Sequence, residues 1–112
     1  MDKPRIRHIA INVRDREKVC EYYKKVFGLE EKSRGPNGTV YLSDGFVDVA
    51  IISSTNMPWG INHFGFQVEN VKNIEEIAQT TAISNTPGAI AESWIRDPEE
   101  NRVDISEEGW PI

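Results

Sequence analysis

The chain has 112 residues, 13 basic and 18 acidic side chains and a net charge of −5. This length suits a single domain over residues 1–112 with one core, and scattered basic residues on an acidic chain disfavour nucleic-acid binding. A single cysteine excludes an internal disulfide. With no secretory signal pattern and no apolar run of about 20 residues, we expect a cytoplasmic protein that does not enter a membrane.

The first half of the chain has the pattern of one strand, one helix and three more strands. Residues 6–13, IRHIAINV, alternate between apolar and other side chains, which is typical of a half-buried strand. Apolar residues then recur at helical spacing, with Asp15 as the expected N-cap and Gly28 as the expected stop. The expected boundaries are strand 6–13, helix 15–27 and strands 29–33, 39–43 and 46–52, the last two joined by an Asp-Gly hairpin turn.

The second half repeats this order after a connector at residues 53–60 that is rich in polar residues and contains Pro and Gly. The expected boundaries are strand 61–68, helix 71–82, a short uncertain strand, strand 90–95 and strand 102–106. We therefore divide the domain into a first module at about residues 5–53 and a second module at about residues 61–107.

The two histidines and two of the aspartates occupy matching places in this repeat. His8 precedes Asp48 by 40 residues, and His63 precedes Asp104 by 41, with each aspartate in a VDV or VDI triplet. The aliphatic side of each strand must pack against the helices, so the opposite side should face a pocket or water. The residues expected on that opposite side are His8, Asn12, Asp48, His63, Gln67 and Asp104.

The segments HIAINVRDREKVCEYYKKVFGL, NHFGFQVENV and RDPEENRVDIS resemble the vicinal oxygen chelate family, which includes glyoxalases, bleomycin-resistance proteins and extradiol dioxygenases. The resemblance covers about residues 5–107. It implies an α+β fold in which two tandem βαβββ modules form a curved, cup-like mixed sheet with helices on its outer face. It also implies a divalent metal in the cup, held by His8, His63 and Asp104, with Asp48 at the remaining ligand position.

Two histidines and a carboxylate suit Zn, Ni, Mn or Fe(II) and leave coordination positions open for substrate oxygens. We expect a metal-dependent enzyme acting on a small oxygen-rich substrate, with lyase, isomerase or dioxygenase chemistry and the catalytic base left open. The alternative is a metal-free protein that binds or sequesters a small molecule. Family resemblance also implies a homodimer. The residues expected to contact the substrate are Asn12, Gln67, Trp59, Trp94 and Glu92, with Trp110 also placed to line the cup mouth.

Each of these residues also has a purely structural interpretation. For Asp104 this alternative is simple pairing with Arg102 or Arg96, and for the tryptophans it is the anchoring of loops. Both carboxylates are Asp, whereas isomerases and lyases of the family typically have Glu or Gln there, and the chain has no third histidine. The reaction class therefore stays open at the level of sequence.

Overall fold

A computed structural model describes residues 4–35, 37–84 and 93–112 of the chain. Both halves show the predicted order of one strand, one helix and three strands, so the α+β class is confirmed. No helix in the described ranges is both long enough and apolar enough to span a membrane. The elements are β1 (Arg5–Asn12), α1 (Arg16–Phe27), β2 (Glu30–Arg34), β3 (Val40–Ser43), β4 (Asp48–Ile52), β5 (Gly60–Gln67), α2 (Val71–Ala78), β6 (Ile83–Ser84), β7 (Ser93–Arg96) and β8 (Arg102–Ser106).

These strands form one open mixed sheet in the order β2-β3-β4-β1-β5-β8-β7-β6. The first strands of the two modules, β1 and β5, pair antiparallel at the centre of the sheet. Each also pairs in parallel with the last strand of its own module, β1 with β4 and β5 with β8. The four strands that carry the repeated histidines and aspartates are therefore neighbours at the middle of the sheet.

Helix α1 forms as predicted and covers the first module. The Asp15 carboxylate accepts a hydrogen bond from the Lys18 backbone N–H at 3.1 Å, and Gly28 ends the helix in the left-handed conformation with φ 70°. Its buried face packs on β3 and β4 and closes the outer side of the sheet. The buried cluster there consists of Cys20, Val40, Leu42 and Ile51.

Helix α2 ends at Ala78, four residues before the predicted end. Gln79 adopts the left-handed conformation with φ 57°, and the Thr80 N–H turns back to the Glu75 carbonyl. Two threonines follow, and β-branched residues are weak helix formers. The short helix covers the outer face loosely: Ile77 is 73% exposed, and a cavity of about 250 Å³ lies between the helix and the sheet.

Two strand predictions also differ from the structure. The strand expected at 46–52 begins at Asp48, because the Asp44 carboxylate accepts hydrogen bonds from the N–H groups of Phe46 and Val47, both at 2.8 Å. These two residues therefore belong to the turn. The strand expected at 90–95 lies partly outside the described residues, and its described part is β7.

We call the side of the sheet that carries His8, His63 and Asp104 the inner face. The expectation that this face opens to a pocket or to water is wrong at its centre, where His8 is 2% and Asp104 is 0% exposed. The reason is Trp110, from the segment after β8, whose ring lies on His8 and is itself buried. The centre of the inner face is thus a covered polar cluster.

Candidate metal centre

The centre of the inner face is built from a row of four residues on adjacent strands. The pairing of β1 with β4 sets His8 beside Asp48, and the pairing of β1 with β5 sets His8 beside Gly65 on its other side. Gly65 is in turn paired with Asp104 on β8. Because Gly65 has no side chain, the row leaves a space between His8 and Asp104, and His63, two residues earlier on β5, reaches the same space.

Three of the four predicted ligand residues converge there. His8 Nε2 and His63 Nε2 are 3.2 Å apart, and Asp104 Oδ2 is 3.1 Å from His63 Nε2 and 3.7 Å from His8 Nε2. Two atoms that bind one ion at about 2.1 Å, with about 90–110° between them, are themselves about 3.0–3.4 Å apart. Two of the three separations lie in this range, and the third, 3.7 Å between His8 Nε2 and Asp104 Oδ2, is a few tenths of an ångström longer. The three residues therefore form a group that could hold a divalent ion after a small adjustment of one side chain.

Each converging group is supported by a polar partner on its other side. His8 Nδ1 lies 2.6 Å from Asp48 Oδ2, and His63 Nδ1 lies 2.7 Å from Asn62 Oδ1. Without a metal, His63 Nε2 hydrogen-bonds to Asp104. Metal binding would require the tautomer with the proton on Nδ1, which these partners accept, so that both Nε2 atoms present a lone pair.

Arg102 plays the corresponding part for the carboxylate. Its Nε donates to Asp104 Oδ1 at 2.7 Å, while Oδ2 faces the two histidines. The pairing of Asp104 with Arg102 considered from the sequence is thus present, as a contact to a fully buried carboxylate. Arg102 Nη2 also donates to Oδ2, but at 3.4 Å, so its shorter bond is to Oδ1, the oxygen turned away from the histidines.

The protonation states suit metal binding. Burial lowers the pKa of His8 to about 4, with Asp104 opposing the shift, and burial also lowers the pKa of His63. Burial alone would raise the pKa of Asp104, but hydrogen bonds from His63 and Arg102 bring it below its usual range. Near neutral pH the group therefore consists of two uncharged imidazoles and one ionised carboxylate.

Asp48 lies outside the group of three. Its carboxyl contacts Nδ1 on the far side of the His8 ring, and its Oδ1 is buried without a hydrogen-bond partner in the described ranges. Burial raises the pKa of Asp48 to about 8, so near neutral pH the Asp48 carboxyl and the His8 ring are both uncharged. One hydrogen bond joins His8 Nδ1 and Asp48 Oδ2. Strand register causes this difference between the two aspartates. Asp48 is paired with His8 itself. Asp104 is paired with Gly65, which lies two residues after His63 on the same face of β5.

Two of the residues predicted to contact substrate hold other parts of the chain in place. The buried amide of Asn12 donates to three carbonyls of the 53–60 connector, at 2.9, 3.0 and 3.2 Å, and accepts from the Ser54 N–H at 2.9 Å. Gln67 donates to the Glu107 carbonyl at 3.4 Å and lies against Gly109. Both therefore position segments beside the inner face.

The predicted aromatic contacts lie beside arginines. The Arg14 guanidinium lies over the Trp59 ring at 4.9 Å, and those of Arg96 and Arg102 lie over the Trp94 ring at 4.9 and 5.0 Å. Arg102 thus contacts both the Trp94 ring and Asp104 of the candidate metal group. Glu92 lies outside the described residues.

Sequence reasoning missed the parts played by Asn62 and Gly65 and the central position of Trp110, and it considered Arg102 only as a structural partner of Asp104. A glycine inside a strand signals a close approach to the backbone, and a residue two positions from Asp104 on the same strand must share its face. These signals were present for Gly65 and Arg102. No periodicity places Trp110, because it follows the last strand.

The Trp110 indole stacks on the His8 imidazole, with ring centroids 4.5 Å apart and planes inclined by 1°. It packs in the inner-face cluster with Ala10, Tyr41 and Ala50. Of the three converging residues, His63 keeps the most exposure, at 9%. The group is therefore covered on its His8 side by the protein's own aromatic ring.

Comparisons with known proteins bear on the family and on the fold. A family model described as the Glyoxalase/Bleomycin resistance protein/Dioxygenase superfamily matches residues 5–105. The fold is similar to that of the 2,3-dioxygenase LapB from Pseudomonas sp. KL28, with a TM-score of 0.71 and 21% identity over 96% of this chain and 41% of that chain. This chain thus spans less than half of LapB.

Two further solved structures are similar over most of both chains. A superfamily member from Vibrio splendidus 12B01 has a TM-score of 0.66 and 18% identity, covering 91% of this chain and 97% of that chain. Methylmalonyl-CoA epimerase from Mycobacterium tuberculosis has a TM-score of 0.70 and 14% identity, covering 89% and 85%. No curated protein matches the sequence. At these identities the likenesses show the fold.

Proposed function

Since the chain belongs to the Glyoxalase/Bleomycin resistance protein/Dioxygenase superfamily, we propose that it is a metal-dependent enzyme acting on a small oxygen-rich substrate. His8, His63 and Asp104 would hold the divalent cation. The observation that carries this proposal is the convergence of three ligand atoms within 3.1–3.7 Å of one another. A bound divalent metal would supply Lewis-acid polarisation of substrate oxygens at the coordination positions that these three residues do not take.

The residues around the group would keep it ready for the cation. Asp48 and Asn62 hold the two imidazoles by Nδ1, which fixes the ring orientation and directs both Nε2 atoms to one point. Arg102 holds Asp104 by Oδ1. Because these partners are present before any metal binds, little ordering would be needed to form the site.

The placement of Asp48 bears on the reaction class. A mechanism in which two carboxylates at the metal move a substrate proton would require a second carboxylate beside the substrate. Asp48 instead contacts His8 Nδ1, on the side of the ring away from the candidate metal position. The sequence contains no third histidine to act as acid or base. We therefore propose an Fe(II), Mn, Zn or Ni centre that chelates substrate oxygens, with lyase, isomerase and dioxygenase chemistry as the three reactions to assay.

The test is metal retention. Protein purified without chelators, incubated separately with Fe(II), Mn, Ni and Zn salts and desalted, should keep close to one ion per chain of at least one of them by elemental analysis. His63→Ala should keep less than about a tenth of that, because only two ligands remain. Glu99→Gln, an exposed carboxylate away from the group, is the matched control and should bind like the wild type. Full retention by His63→Ala would refute the proposed site.

A metal-free binding protein is the second candidate, and Trp110 is the observation that favours it. Its indole shows that the inner face accepts a flat aromatic ring beside His8. If the wild type keeps no divalent ion yet binds flat aromatic compounds in the presence of EDTA, this second function replaces the first.

We also propose that the chain forms a homodimer. The sheet has open edges at β2 and β6, and large apolar side chains such as Ile61 and Ile77 are exposed. Light scattering at micromolar concentration should give twice the chain mass of 12.7 kDa, and a species of chain mass would refute the dimer.

A further inference from the structure

The indole of Trp110 covers the row Asp48, His8, Gly65 and Asp104 at its middle, where it lies on the His8 ring and over Gly65. It is parallel to the His8 ring at 4.5 Å and is 7% exposed. A Cβ added to Gly65 would lie 2.8 Å from Trp110 Cη2 and 3.0 Å from Asp104 Cβ. The ring therefore lies on His8 and over Gly65, and Asp104 flanks the same glycine.

The sheet beneath the ring is made of small residues at the positions that matter. Ala10 and Ala50 are paired on β1 and β4, and Gly65 is paired with His8 on β5. All three belong to the inner face next to the indole, and Tyr41 closes the same cluster. Larger side chains here would lift the ring off the sheet, so these residues form a flat slot (the ring slot), lined by Ala10, Ala50, Gly65, His8 and Tyr41.

The segment that carries the ring is not part of the sheet. Residues 107–112 belong to no strand or helix. The chain turns at Gly109, with φ 79°, and the Gly109 N–H donates to Ser106 Oγ at 3.0 Å. The segment that carries the Trp110 ring could therefore move without breaking the hydrogen bonds that pair the strands of the sheet. Gly109 provides a backbone joint beside Trp110.

We propose that Trp110 is a specificity-determining residue of the cup, because its indole fills the ring slot next to His8. Under this proposal a small chelating ligand would approach from the His63 side, where the group keeps the most exposure. A ligand that carries a flat ring into the slot would have to displace the indole. Where it concerns small molecules that chelate a bound metal, this inference rests on the proposed function. The ring slot itself exists without a metal and is tested separately.

The metal-free test uses indole as the probe. In the presence of EDTA, indole should bind Trp110→Ala at one molecule per chain by calorimetry and raise its melting temperature, because the deletion empties the slot. The wild type and Phe46→Ala, which removes an aromatic ring that is 71% exposed, should show neither effect. Trp110→Leu, a milder truncation, serves if the alanine variant does not fold. Absence of indole binding to the folded variant would overturn the ring slot.

The second test separates specificity from a purely structural role. Acetohydroxamate and benzohydroxamate share one chelating group and differ by a ring, and binding of each to Co²⁺-loaded protein can be followed in the visible spectrum. Trp110→Ala should lower the ratio of the benzohydroxamate Kd to the acetohydroxamate Kd by at least about tenfold. A structural residue would change both constants alike, so an unchanged ratio overturns the inference. Failure of the proposed function is seen earlier, as no Co²⁺ uptake by the wild type, and the indole test alone then decides.

Discussion

At the scale of single residues, Asp48 and Asn62 do as much for the candidate centre as the histidines they contact. Each holds an imidazole Nδ1, at 2.6 and 2.7 Å, so that the opposite nitrogen is aimed at the shared point. Partners of this kind orient metal ligands and raise their basicity. Asp48 is fully buried, so its contact with His8 is shielded from water and from salt.

Replacing Asp48 should weaken metal binding without unfolding the protein. We expect Asp48→Ala to lower metal affinity about 100-fold and Asp48→Asn about 10-fold, because asparagine keeps an acceptor oxygen for His8 Nδ1 but cannot ionise when a cation binds to the ring. Competition against a chromophoric chelator measures both constants. The metal-free stability of Asp48→Asn should be unchanged or higher, because Asp48 Oδ1 has no hydrogen-bond partner among the described residues. Wild-type affinity in Asp48→Ala would show that the contact does not support the ligand.

Of the four residues predicted to hold a metal, three could be placed in one group from the sequence, and the part played by the fourth could not. His8, His63 and Asp104 follow from the repeat and from strand alternation, which fix the face on which a side chain lies. Asp48 differs because its part depends on strand register. Its strand pairs it with His8, whereas Asp104 is paired with Gly65. A sequence offset of 40 against 41 residues does not reveal that difference, because register is set by the whole sheet.

At the scale of elements, an exposed ion cluster joins α1 to the edge strand β2. Arg34 of β2 makes two hydrogen bonds to Glu17 of α1, both 2.9 Å, and its Nε donates to Glu31 at 2.7 Å. Lys24 of α1 donates to the same Glu31 at 2.7 Å. This short strand has a polar, exposed sequence, so the charges contribute to its attachment.

Glu31 should stabilise the fold in a manner that depends on pH. Hydrogen bonds from Arg34 and Lys24 lower its pKa to about 2. Its contribution is therefore complete above its unfolded pKa of about 4.3 and disappears as the pH falls toward 2. Because the group is largely exposed and screened, Glu31→Gln should cost at most about 1 kcal/mol at pH 7. Urea unfolding at pH 7, 5 and 3 measures it, with Glu99→Gln as control. An equal difference at pH 7 and pH 3 would contradict this origin.

The elements predicted best are those whose own sequence contains both the periodicity and the ends. Helix α1 has a capping aspartate and a terminal glycine, and β8 was predicted at its observed bounds, Arg102–Ser106. Helix α2 was predicted too long because its end depends on Gln79 taking the left-handed conformation, which glycine or asparagine more often adopts. The sequence did not predict that the inner face is covered, because the covering residue, Trp110, lies outside any helix or strand.

At the scale of the whole molecule, the candidate centre joins the two modules. His8 lies in the first and His63 and Asp104 in the second, and the modules meet in the sheet through the pairing of β1 with β5. An ion shared by the three would bind the folded chain and not the unfolded one, in which these residues are 41 and 55 positions apart in sequence. Metal binding should therefore appear as folding stability.

The size of that effect can be stated in advance. Free metal at 100 times its Kd should stabilise the fold by about 2.7 kcal/mol, which for a chain of this size raises the melting temperature by roughly 10 °C. Thermal unfolding followed by circular dichroism, with metal and then with excess EDTA, measures the difference. His63→Ala should melt at the same temperature in both conditions, since two remaining ligands bind too weakly to link the modules. An equal metal-dependent rise in that variant would mean that the ion binds elsewhere, and the stability of the two modules would then owe nothing to the His8, His63 and Asp104 group.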